Sequence, residues 1–227
     1  DAVMPEFEGR LVVKWRAFPL EVINRRPAPR HIVDQEWPLV AVQEPLCPCR
    51  PFPHAEFLRT TLPAFEGYAS AFGQDQARAR RFDLALRRAF FYEGRRIDEP
   101  GVVVEVAEAC GLDPAPIRAD LERGARREQV MEDYRESMRL RDEGGLPMTS
   151  PTLILPSGEV LHNPYASPKR IEKGKLVEVL PPPAYGREVY EGFRRILARA
   201  AGQGAPGASC GVKRPAPPAP GGGSSQP

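Results

Sequence analysis

Residues 145–160 read GLPMTSPTLILPSGEV, and Pro151 stands directly against the apolar run from Thr152 to Leu155. Proline donates no backbone hydrogen bond, so within sheets it is confined to strand starts, edges and bulges. The run therefore reads as a strand that opens at Thr152. Pro156, Ser157, Gly158 and Glu159 supply turn chemistry ahead of Val160, Leu161 and His162, and the two short runs predict a β-hairpin. On the residues alone Pro151 is a trans proline starting a strand, because trans is the majority state of X–Pro bonds.

Upstream of the hairpin the apolar spacing is helical. Thr60 or Thr61 with Pro63 opens a helix through Phe65, Tyr68, Ala69 and Phe72 to Gly73. A second helix from about Gln74 carries Ala79, Phe82, Leu86, Ala89 and Phe90 as a core stripe, with Arg78, Arg80, Arg81, Arg87 and Arg88 facing solvent. Asp98 is expected to cap a third helix ending at Gly111, and Asp113 with Pro114 opens a fourth that ends at Gly124. A fifth runs from about Arg126 to Asp142. Downstream, EKGKLVEVLPPP has room for a short strand or turn, and Ala184 to Ala200 forms an amphipathic helix on Val189, Phe193, Ile196 and Leu197.

At the other end of the chain, Leu11–Trp15 (LVVKW) is apolar nearly throughout, the pattern of a strand covered on both faces, and is expected at the centre of a sheet. The proline-rich segment that follows, to about Pro53, reads as a long loop with at most a short helical turn. The order is strand, helical block, hairpin, helix.

Composition limits what such a chain does. Its 227 residues are 41% hydrophobic, enough for a real core. Lys and Arg number 32 against 30 Asp and Glu, so a net charge of +2 gives no electrostatic case for nucleic acid or an anionic membrane. No apolar run approaches the roughly 20 residues that span a bilayer, and the expected compartment is the cytoplasm. The four cysteines, Cys47, Cys49, Cys110 and Cys210, lie in unlike contexts and form no disulfide framework. Residues 201–227 are almost entirely Gly, Pro, Ala and Ser, a disordered tail by composition.

VVKWRAFPLEVIN (12–24), RRFDLALRRAFFYEGRRIDEPGVVVEVAEACGLD (80–113) and GGLPMTSPTLIL (144–155), in that order, resemble the DsbA-like branch of the thioredoxin superfamily. The likeness is greatest to its FrnE-type and 2-hydroxychromene-2-carboxylate isomerase-like members. It rests on the W-R-x-F-x-L that follows the family's strand, on the F-x-x-A-L-x-x-A-F-F helix with its G-L-D ending, and on the G-x-P-T-type loop. It implies an α/β fold: a thioredoxin-like sheet, N-terminally truncated, carrying a large all-helical insertion. Residues 1–52 and 144–200 would belong to the thioredoxin-like domain, 53–143 to the insertion and 201–227 to the tail.

The same resemblance implies that Pro151 is cis, with Ser150 and Thr152 beside it pairing with an extended substrate or with glutathione. The family's C-x-x-C, or a serine loop in the isomerase and kappa-type transferase members, sits at the N-terminus of the first helix, where the helix dipole stabilises a thiolate. DAVMPEFEG resembles the end of that helix, which places the reactive loop upstream of Asp1. Three functions follow: a thiol–disulfide oxidoreductase acting on a disulfide- or thiol-containing protein; a glutathione-dependent isomerase or transferase; and a non-catalytic thioredoxin-like binding scaffold.

Within the chain, Cys47 and Cys49 form a C-x-C that would close a strained, oxidising disulfide, but no helix N-terminus activates it. Zinc on these two thiols and His54 lacks a fourth ligand, and no metal site is expected. Cys110 reads as a small core residue, and His31 and His162 read first as surface residues, with a place near the proline hairpin as the second reading of His162. Arg16, leaving the strand, is a candidate for a carboxylate such as that of glutathione. Trp15 and Phe18 read first as core and second as the wall of a groove.

Overall fold

The computed structural model of the chain describes residues 3–43, 49–144, 150–172 and 175–202. Its centre is a block of helices whose apolar stripes close on one another: α3 (Leu62–Gln74), α4 (Gln76–Phe91), α5 (Pro100–Ala109), α6 (Pro114–Arg123) and α7 (Arg127–Gly144). Phe82, Val103 and Ile117 are fully enclosed between them. Each helix starts and stops for a local reason. The Asp75 carboxylate accepts from the Arg78 amide at 2.9 Å and opens α4, and Asp113 accepts from the Ala115 amide at 3.0 Å and opens α6. Gly124, at φ 61°, ends α6 in the left-handed region that glycine enters without penalty.

Asp98 does not cap α5. Pro100 occupies the first helical position, which moves the cap to Glu99, and the Asp98 carboxylate turns instead to the Arg96 guanidinium at 2.8 Å. The proline-rich stretch before the block is also not a plain loop. It contains α1 (Leu20–Ile23) and a 14-residue helix, α2 (Arg30–Gln43), which holds Pro38 in its interior. Ile32, Val33 and Trp37 are the buried face of α2. The Trp37 ring meets Phe90 edge-on at 5.1 Å and Phe52 at 6.3 Å, so α2 shares the core of the helical block.

Leu11–Trp15 is not a strand. Residues 11–19 have no regular secondary structure, Val12 is 74% exposed, and the central position expected for it is not taken. A β-branched run needs a neighbouring ladder for its amides and carbonyls. Among the described residues it has none, because the described strands pair among themselves.

The predicted hairpin is present as β1 (Thr152–Ile154) and β2 (Val160–His162), antiparallel with Leu153 opposite Leu161. Gly158, at φ 85°, makes its turn. A second antiparallel pair follows, β3 (Lys169–Glu172) with β4 (Lys175–Val179), and the two pairs are separate two-stranded sheets. The final helix, α8 (Arg187–Gly202), lays Ile196 and Ala200 against Leu155, with Leu11, Leu161, Tyr165 and Phe193 around them, as a second, smaller core. Gln43 joins the two halves: its side-chain amide donates to the Tyr165 carbonyl at 2.7 Å and to the Ala184 carbonyl at 3.1 Å. The described residues are thus mixed α/β and mostly helical.

Candidate functional site

A cleft of about 630 Å³ lies between the irregular 11–19 segment and the faces of α3, α4 and α7. Ligand clefts commonly fall within about 300–1,000 Å³ and are mostly apolar. Its walls are Trp15, Phe65, Tyr68, Phe72, Leu86 and Phe90. The 11–19 segment is strapped over it by Asp133 of α7, whose carboxylate accepts from the Arg16 guanidinium at 2.9 Å and from the Ala17 amide at 2.8 Å. Pro19, buried at the end of the segment, opens α1, and Glu21 of α1 in turn accepts from the Thr61 amide at 2.6 Å, at the start of α3.

Two residues singled out from the sequence, Arg16 and Ser150, line this same cleft. The Ser150–Pro151 bond is cis. Asn163 holds the loop from below: its side-chain amide donates to the Ser150 carbonyl at 3.1 Å and its backbone amide to the Pro151 carbonyl at 2.8 Å. Thr152 opens β1 directly opposite His162 on β2, and the Thr152 hydroxyl lies 3.2 Å from His162 Nδ1. His162 therefore sits beside the proline loop with a partner, rather than alone on the surface. Arg16 already has one as well, since Asp133 takes its guanidinium and Glu136 lies at 3.7 Å.

Trp15 and Phe18 both line the cleft, the second of the two readings open for them, and Trp15 is 46% exposed. Neither Cys49 nor Cys110 lines the cleft. Cys47 falls outside the described residues; Cys49 is buried in the helical core beside α2. Burial pushes the Cys110 thiol upward, against a smaller opposing pull from Arg81, which disfavours a thiolate there. His54 Nε2 meets the Gly94 carbonyl at 3.0 Å and its ring packs on Phe52. Among the described residues no three His, Cys, Asp or Glu side chains gather as a metal site, and no helix is long and apolar enough to cross a membrane.

Tyr68 is the cleft residue that sequence reasoning placed in the core without a role. Its hydroxyl is buried and has no hydrogen-bond partner among the described residues. Burial raises its pKa, Asp83 adds to the rise, and Arg80 and Arg87 oppose it. Nothing in the helical spacing separates Tyr68 from its apolar neighbours, so only the packing reveals it.

No family model, no curated protein and no solved structure matches the chain.

Proposed function

We propose that the chain is the substrate-binding part of a thiol–disulfide oxidoreductase of the DsbA/FrnE type, thioredoxin-like with the α3–α7 block as its insertion. In this chemistry a thiolate attacks one sulfur of a substrate disulfide and displaces the other as a thiolate, leaving a mixed disulfide. By the resemblance, the attacking cysteine belongs to a C-x-x-C preceding Asp1, and a cytoplasmic location goes with the same reading. The observation that carries it is the position of Ser150. It stands exposed at the cleft, on a loop fixed by Asn163 and continuous with β1, where an extended substrate can meet backbone groups.

One observation favours the glutathione-dependent isomerase or transferase reading instead. A cleft of about 630 Å³ walled by aromatic rings suits a small molecule better than a polypeptide. One experiment separates the two. The native-length protein is treated with oxidised glutathione, then separately with reduced glutathione, and followed by intact mass and by amide chemical shifts. The oxidoreductase reading expects a mixed disulfide with glutathione on a cysteine preceding Asp1, together with shifts at Ser150, Thr152 and His162. Shifts at those residues from reduced glutathione without any covalent adduct transfer the assignment to the isomerase or transferase class. Shifts confined to other surfaces from both forms sink the two readings together.

A further inference from the structure

We infer that residues 12–17 are a flap over the cleft, which opens while the helical block stays folded and through which a ligand enters, with Asp133 as its latch. Little in the segment itself keeps it closed. Residues 12–16 make no backbone-to-backbone hydrogen bond among the described residues, and the two strand pairs form without them. Val13 and Ala17 are half-buried, while Val12, Lys14 and Arg16 are exposed. Both ends, by contrast, are fixed. Leu11 packs against the smaller core and its amide donates to the Phe7 carbonyl at 3.2 Å, and Pro19 is fully enclosed.

Between these two points the polar hold is Asp133 alone among the described residues, through the Ala17 amide and the exposed Arg16 guanidinium. The free energy of a local opening is set by the hydrogen bonds and apolar contacts it breaks, and lids are drawn from segments with few of either. When the flap lifts, the amide and the guanidinium regain water, so the latch releases without unfolding α7 beneath it. The flap also forms part of the cleft wall: Val13 and Trp15 line it together with Phe65, Tyr68 and Phe72 of α3. A ligand lying between the flap and α3 is enclosed from both sides, and its entry and exit pass through displacement of the flap. The device does not depend on which reaction the cleft serves.

The test is native-state hydrogen exchange of the full chain, read by NMR in rising urea below the unfolding transition. The Ala17 amide is expected to be protected, yet to exchange about a hundredfold or more faster than the buried Val106 of α5, and at a rate that urea leaves unchanged while that of Val106 climbs. Exchange of Ala17 at the Val106 rate and with the same urea dependence would overturn the inference, because the segment would then open only when the whole molecule does. Exchange of Ala17 as fast as in a free peptide would overturn the latch. Passage through the flap is read by stopped-flow binding of the uncharged naphthalene dye prodan. In Asp133→Ala both its association and its dissociation are expected to quicken by a common factor, about fivefold or more. If that variant fails to fold, Arg16→Gln takes its place. A rise in dissociation alone would make Asp133 a contact to the guest rather than a latch, and absence of saturable prodan binding would leave the flap nothing to admit; either result overturns the gate. The glutathione experiment is read at Ser150, Thr152 and His162 and is unaffected by these outcomes.

Discussion

Asp133 holds the 11–19 segment with both carboxylate oxygens, one on the Arg16 guanidinium and one on the Ala17 amide. The two contacts differ in worth. Arg16 is 60% exposed, and an ion pair open to water contributes about 0–1 kcal/mol. The Ala17 amide is partly buried, and a backbone donor left without a partner there costs about 1–3 kcal/mol. Asp133→Ala should therefore lower unfolding stability by about 2 kcal/mol, Asp133→Asn by less because one oxygen remains for the amide, and Arg16→Ala by under about 1 kcal/mol. Urea titrations of the three variants check this; an Arg16→Ala loss equal to that of Asp133→Ala would show that the ion pair, not the amide, holds the strap. The sequence singled out Arg16 for the carboxylate of a ligand, and its contact with Asp133 was not legible there. Asp133 sits 117 positions away on a helix whose other acids, such as Glu132 and Glu136, look the same in a charge pattern.

Helix α3 is the element on which the others converge, and Gly67 lets α5 approach it. A Cβ built at Gly67 would meet Val103 Cγ1 at 2.5 Å, and Phe82 stands behind at 3.7 Å. Alanine in place of glycine gains about 1 kcal/mol of helix propensity, and overpacking a filled core costs about 1–3 kcal/mol. Packing wins at this position. Gly67→Ala should be destabilising by about 1 kcal/mol, and in a Val103→Ala background the same change should become stabilising. Thermal melts of the two single variants and the double variant close the cycle; a stabilising Gly67→Ala on its own would show that α3 and α5 have room to part. The helical block was legible because its spacing and caps agree, as Asp113 and Gly124 show for α6. Helix α2 was hidden because Pro38 and the surrounding prolines mask the Ile32, Val33 and Trp37 stripe. The Leu11–Trp15 strand was misread for the opposite reason: its residues favour a sheet, but pairing is a property of neighbours, which a local pattern does not contain.

Across the whole molecule charge is balanced at neutral pH, and that balance depends on carboxylates that hold the helices together. Asp98 and Asp120 are the clearest cases, their side chains only 8% and 13% exposed. Burial alone would raise both. It is outweighed at Asp98 by the Arg96 guanidinium and the Arg59 amide, and at Asp120 by Arg126 and the Ser70 hydroxyl, so both carboxyls ionise below their ordinary range. A carboxyl whose folded pKa lies below its unfolded value of about 3.9 contributes stability that is complete above that value and is lost as pH falls through the folded pKa. Unfolding free energy should therefore be level near neutrality and fall steeply only below about pH 4. General repulsion acts in the same direction, since protonating 30 acids leaves 32 Lys and Arg side chains, and the 3 His that charge with them, unopposed. The two sources separate experimentally. Repulsion between exposed charges is screened by salt, whereas the Asp120 contribution, made by contacts at 2.8 and 2.9 Å, is screened far less. Asp120→Asn should lower stability at pH 7 and flatten the acid slope even in high salt, read from urea midpoints between pH 2 and 7. A variant whose acid slope in high salt matched the parent's would assign acid unfolding to net charge alone and remove Asp120 from the account.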